Sequence, residues 1–162
     1  MIDAVEYKTC CFTGHRSLPA NKLDDIRNLL ARAVEELAQN GCLQFVSGGA
    51  VGFDTLAAET VIEQKKLNPN IRLFLLLPCR DQDAKWNMKD RLRYKKILDS
   101  ADGVEYVCDT YITGCMHLRN KKMVERADIC VAFCQKRGGG TEYTMDYAVE
   151  KERTIINIAQ ML

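Results

Sequence analysis

Six short apolar runs, each closed by glycine, proline or a polar cluster, alternate along this chain with longer segments of helical period. Parallel strands joined by helices must cross over right-handedly, so the alternation predicts an α/β fold with helices on both faces of the sheet. The spacing predicts strands over 7–12, 43–46, 71–77, 104–107, 129–133 and 154–158. It predicts helices over 21–39, 54–66, 89–100 and 116–126, and a last one ending near Lys151. In the first helix Leu23, Ile26, Leu30, Val34 and Leu37 share a face, and Gly41 follows its end. Asn68-Pro69-Asn70 stops the second. The run Ile-Arg-Leu-Phe-Leu-Leu-Leu at 71–77 is almost continuously apolar, as a strand covered on both faces requires, and is expected at the centre of the sheet.

A chain of 162 residues accommodates one domain, 1–162, around a single core. Its 47% hydrophobic and 28% charged residues exclude disordered, collagen-like and coiled-coil classes. A formal net charge of +1 gives no global electrostatic case for a nucleic-acid or membrane partner. Met1-Ile2-Asp3-Ala4-Val5-Glu6 has neither a basic n-region nor an apolar h-region, and no apolar run approaches a membrane span, so a cytoplasmic location is expected. Of the eight cysteines, Cys10, Cys11, Cys130 and Cys134 lie in or beside strand-like runs, and no CxxC pair or zinc-like array occurs. Buried free thiols are expected, with neither a metal site nor a cofactor.

In sheets of this kind ligands bind beyond the carboxyl ends of the strands. Four loops fall there: Thr13-Gly14-His15-Arg16, Ser47-Gly48-Gly49, Pro78-Cys79-Arg80-Asp81 and Gly138-Gly139-Gly140-Thr141. Two glycine-rich turns that run from strand to helix favour an anion, because a helix start leaves N–H groups unpaired and glycine lets a phosphate approach. Their plainer role is to make tight turns. GxxxxGK[ST] is absent, and Ser47 stands where GxGxxG would need glycine, which disfavours a triphosphatase and an ordinary NAD dehydrogenase.

Arg16 is placed to fork onto a phosphate or carboxylate, or to form a surface ion pair. Asp54 opens a helix, where a carboxylate complements the dipole or accepts from ligand hydroxyls. Glu142 also stands in a first turn; a carboxylate beside a phosphate is repelled, so its place hints at sugar or base recognition or at acid/base chemistry. Trp86 either stacks on a base or anchors the 78–86 loop, read as a lid, in the core. His117, Arg119 and Asn120 open the helix that precedes the fifth strand and can reach the same rim, whereas His15 is expected to make an ordinary hydrogen bond.

Taken together, Thr13-Gly14-His15-Arg16, SGGAVGFDTLAAE, PCRDQDAKW, CMHLRNKKMVERAD and GGGTEYTMDYA resemble, over nearly the whole chain, the YpsA-like bacterial and phage branch of the SLOG superfamily. That resemblance implies a three-layer, Rossmann-like doubly wound fold, a mostly parallel sheet of about six strands, and a nucleotide or nucleotide-derived ligand. SGGAVGFDTLAAE is similar to the SGxAxGID motif of the DNA-processing protein A family, which implies single-stranded DNA as an alternative ligand. The segment from Met116 to Thr144 resembles cytokinin-releasing phosphoribohydrolases, which carry an arginine before a PGGxGTxxE motif with a catalytic glutamate. Arg119 matches the arginine, and Gly139, Gly140 and Thr141 approximate the glycine motif. Thr144 stands where the glutamate belongs, which leaves Glu142 as the candidate carboxylate from a shifted register. The resemblance also implies a homodimer.

The expectation is therefore a binding domain, with a sensing or signalling role, for a nucleotide-like small molecule. Gly14, Gly48, Gly49, Gly139 and Gly140 would open the backbone to phosphate beside Ser47 and Thr141. Arg16 would supply charge, and Asp54 would take hydroxyl or base groups. Were the protein an enzyme, it would be a nucleotide N-glycoside hydrolase using Arg119 and Glu142.

Overall fold

The computed structural model describes residues 6–162; the leader reading of the first residues falls largely outside them. Its order is β1 (Thr9–Gly14), α1 (Leu23–Gln39), β2 (Gln44–Ser47), α2 (Phe53–Leu67), β3 (Arg72–Leu77), α3 (Met88–Ser100), β4 (Gly103–Tyr106), α4 (Cys115–Arg126), β5 (Ile129–Phe133), α5 (Gly140–Glu150) and β6 (Thr154–Asn157). All pairings are parallel in the order β4-β3-β2-β1-β5-β6. The order reverses between β1 and β5, where Cys11 is in register with Cys130 and Gly14 with Phe133. That is the switch point at which a doubly wound sheet opens a crevice.

Strand alternation sends Cys10, Phe12, Phe45, Leu73, Leu75 and Val131 to one face, under α1, α2 and α3. Cys11, Val46, Leu76, Cys130 and Ala132 go to the other, with Met123 of α4 and Met145 of α5. β3 is interior and covered on both faces, but it lies one strand from the β4 edge, and β2 and β1 hold the centre. A near-continuous apolar run reports two-sided burial, which any interior strand has, and not rank within the sheet. All eight cysteines are free, six of them buried. Among the described residues no helix is long and apolar enough to cross a membrane.

The 78–86 loop is packed down. Trp86 meets Tyr94 edge-on at 5.1 Å, Asp81 accepts the Tyr111 N–H at 3.1 Å, and Arg80 pairs with Asp109. Trp86 is half-buried and packs against the core, the anchoring of its two expected roles.

Candidate functional site

Beyond the ends of β1 and β5 lies a cleft of about 380 Å³. Its walls are Thr13, Gly14, His15 and Arg16 after β1, Ala50 and Asp54 around the start of α2, Met116, His117, Arg119 and Asn120 in the first turns of α4, and Gly140 and Thr141 in the first turn of α5. Three helix N-termini thus border one space with no side-chain cap and a partial positive charge, although the first N–H of α2 is taken by the His15 carbonyl and that of α4 by the Ile112 carbonyl.

The glycines that shape this region differ in what surrounds them. A Cβ on Gly14 would lie 2.4 Å from the Phe53 ring, the first side chain of α2, which stacks at 6.0 Å on Phe133. A Cβ on Gly48 would lie 2.4 Å from the Arg119 guanidinium. Gly52, at φ +84°, turns the chain into α2 where a Cβ would come within 2.3 Å of the Arg16 carbonyl. Gly49 faces Leu77 and Tyr94. By contrast Gly139 and Gly140 have open space where a Cβ would stand. The first glycine turn is packed shut by its neighbours, and the second is open to solvent.

Ser47 is fully buried: its hydroxyl donates to the Asp54 carbonyl at 3.1 Å and accepts the Gly49 N–H at 3.2 Å, which fixes the turn from within. Arg119 is also buried. It donates through Nε to Asn120 Oδ1 at 2.8 Å and through Nη1 to the Gly48 carbonyl, so it ties α4 to the end of β2. Gln82, from the packed loop, is directed at the same carbonyl by a long 3.5 Å contact. Arg16 is exposed at the cleft mouth.

Asp54 is 6% exposed, yet it lines the cleft. Burial pushes its carboxyl up to about 6, against the opposing pull of Arg119, the Ala50 N–H and Arg16. Its Oδ2 accepts only a long 3.4 Å contact from Ala50. His15 Nε2 accepts the N–H groups of Gln135 at 2.8 Å and Lys136 at 3.2 Å, which makes Nε2 the unprotonated nitrogen and leaves Nδ1 facing Thr141 Oγ1 at 3.4 Å. Burial and the Lys136 charge lower its pKa.

Glu142 does not join Arg119. Its Oε1 accepts the Gly138 N–H at 3.2 Å, and it borders a separate depression of about 280 Å³ with Cys134, Lys136 and Asp146. Thr144 is buried and donates to the Gly140 carbonyl at 2.8 Å. Among the residues that line the main cleft, Asp54 supplies the carboxylate. The structure therefore gathers Gly14, Arg16, Asp54, Arg119, Gly140 and Thr141 around one space. It places Ser47, Gly48, Gly49 and Gly139 behind or beside the wall, and Glu142 elsewhere. Sequence reasoning did not single out Gly52 or Phe53; the signal available was their place in the SGxAxGID-like motif, Gly52 on its second fixed glycine and Phe53 on its apolar position. Among the described residues no group of three or more histidine, cysteine or acidic side chains is arranged to hold a metal ion.

A doubly wound parallel sheet with a polar cleft at its switch point defines a Rossmann-like domain. Within that class the chain belongs to the YspA SLOG family, whose family model matches residues 10–161. It is 28% identical to the UPF0398 protein BH1768 of Halalkalibacterium halodurans, over 79% of this chain and 69% of that protein. It is 30% identical to the SPbeta prophage-derived protein YoqJ of Bacillus subtilis, over 78% of this chain and 80% of that protein. Among solved structures it is similar to DNA processing protein A from Helicobacter pylori, with a TM-score of 0.66 at 20% identity. It is likewise similar to the Streptococcus pneumoniae protein, with a TM-score of 0.67 at 16% identity. The matches cover 91% and 92% of this chain but span only 63% and 49% of those chains, and they show a shared fold.

Proposed function

We propose that the cleft binds the phosphate of a nucleotide or nucleotide-derived ligand. The observation that carries this reading is the convergence of the N-termini of α4 and α5 on a space that Arg16 borders, with the start of α2 at its other end. Unpaired N–H groups and helix dipoles attract an anion, and Arg16 can close on it as a fork. The open Gly139-Gly140 turn gives the anion backbone access, and His15 holds the loop that leads into that turn. A phosphate has reason to avoid the Asp54 end of the cleft, so it is assigned to the end where α4 and α5 begin.

A thermal-shift panel of nucleoside mono- and diphosphates tests the proposal, since a ligand that prefers the folded state raises the midpoint. Upward shifts that disappear in Arg16→Ala support it; no shift with any phosphorylated compound rejects it.

Single-stranded DNA is the second reading. It is favoured by the fold shared with DNA processing protein A, for which the Helicobacter pylori structure concerns a single-stranded DNA binding mode. With a net charge of +1, binding through backbone phosphates would be weak and steeply salt-dependent. Anisotropy of a labelled oligothymidine across a salt series separates the two readings: a strand that binds while mononucleotides do not would favour DNA.

A further inference from the structure

We propose that Asp54 makes this cleft selective for a ribose-bearing phosphate over its 2′-deoxy counterpart. The inference rests on the phosphate reading above and names the chemistry at the opposite end of the same space.

Asp54 as a residue is 6% exposed, and it lines a cleft that Arg16, His117, Arg119, Asn120 and Thr141 also border. Its one hydrogen bond is the long contact from Ala50 to Oδ2, so Oδ1 has no donor among the described residues. A buried carboxylate with so few donors asks for hydroxyl or N–H groups from whatever fills the cleft. Free cations are poor candidates, because Arg16 and Arg119 already act on Asp54 with their own positive charge. A second phosphate is repelled by the carboxylate itself. Neutral donors remain, and in a sugar phosphate the vicinal 2′- and 3′-hydroxyls belong to the same unit as the 5′-phosphate and present two donors side by side to a carboxylate's two oxygens. The helix starts of α4 and α5 would hold the phosphate while Asp54, on α2 across the switch point, takes the diol. An acidic side chain on ribose hydroxyls is a general solution in doubly wound sheets.

With the cleft filled, a ligand lacking the 2′-hydroxyl encloses the Asp54 acceptor without giving it a donor, and sites built around a hydroxyl reject analogues that lack it far more strongly than hydrophobic pockets reject a missing methylene. Titration calorimetry at pH 7.5 tests this with ribose 5-phosphate, 2-deoxyribose 5-phosphate, inorganic phosphate, and the ribonucleoside 5′-monophosphates against their 2′-deoxy forms. The ribose compounds should bind about tenfold or more tightly than the deoxy forms. Asp54→Asn, which preserves shape, should shrink that ratio to about threefold or less, and Asp54→Ala should abolish it while inorganic phosphate still binds. Equal affinity of ribose and deoxyribose compounds in the unmodified protein overturns the selectivity and leaves the phosphate reading standing. A ratio that survives both substitutions overturns the role of Asp54. Absence of binding by every phosphate compound overturns both readings.

Discussion

His15 Nε2 accepts the backbone N–H of Gln135 at 2.8 Å, joining the loop after β1 to the loop after β5 across the switch point. Lys136 donates to the same nitrogen at 3.2 Å, so one neutral imidazole holds two successive amides of the segment that leads into α5. His15→Ala should speed hydrogen exchange at Gln135 and Lys136 and reduce stability by about 1–3 kcal/mol. The pH dependence follows from the lowered pKa. As pH falls below about 6.5 the unfolded chain takes up a proton before the folded one does, so stability is full above that range and declines below it. The difference between the wild-type protein and His15→Ala, followed by denaturant melts at pH 7.5 and pH 5.5, should narrow at the lower pH; an unchanged difference would show that Nε2 is not the acceptor.

The glycines divide into two groups with opposite expectations. Gly14→Ala drives a methyl group into the Phe53 ring, and Gly52→Ala combines a positive φ with a contact on the Arg16 backbone. Each should destabilise by about 2–4 kcal/mol, since overpacking and left-handed strain add. Gly140→Ala meets nothing and stands at a helix start, so its effect on stability should stay within about 0.5 kcal/mol. Midpoints of chemical denaturation for the three variants make the comparison. A stable Gly14→Ala would mean that Phe53 can move away from the end of β1.

This division was not legible in the sequence, although much of the rest was. Periodicity located the six strands and five α-helices to within about three residues, because two-sided burial of β1, β3 and β5 leaves long apolar runs and the amphipathic face of α1 has a period of its own; the 3-10 turns at Ala20–Lys22 and Ile158–Met161 were not read. That the rim would collect Arg16, Asp54 and Thr141 also followed from chain order, since every loop after a parallel strand emerges at the same end. What Gly14 and Gly48 face depends on Phe53 and on Arg119, partners 39 and 71 positions away along the chain. Glycine spacing carries no record of such distant contacts. Glu142 shows the same limit: its helix position was legible, but a first-turn side chain that folds back onto the Gly138 N–H leaves the cleft, and only the loop conformation decides that.

Arg119 belongs to a strut. The guanidinium reaches from α4 to the Gly48 carbonyl and lies where a side chain on Gly48 would be, so the end of β2 and the start of α4 hold each other. Arg119→Met removes the charge but keeps much of the apolar stem, and it leaves the Gly48 carbonyl with only the long Gln82 contact. The expected loss is about 1–3 kcal/mol, by the cost of leaving the buried Gly48 carbonyl poorly satisfied. Because the strut is structural, the loss should appear in the unliganded protein, measured by urea denaturation without nucleotide. A variant as stable as wild type but unable to bind a ligand would instead make Arg119 a direct ligand contact.

Asp54 should act in the opposite direction, because its carboxyl is held up at about 6 by burial despite Arg119, Ala50 and Arg16. Unfolded, an aspartate releases its proton near pH 3.9, so between about pH 4 and 6 the folded state binds more protons than the unfolded one and stability falls as pH rises through that window. Above it a constant penalty remains, up to about 3 kcal/mol for a shift of this size. Asp54→Asn keeps the shape and removes the charge, so the unliganded variant should be more stable than wild type at pH 7.5. With about 2–4 °C per kcal/mol for a domain of this length, the melting midpoint should rise by several degrees. At pH 4.5, where folded Asp54 is already protonated, the gain should largely vanish. Thermal melts of both proteins at the two pH values decide the matter: midpoints that run parallel would mean that Asp54 is solvated, and a gain confined to neutral pH would mark it as a charge held at a cost in stability until a ligand supplies its donors.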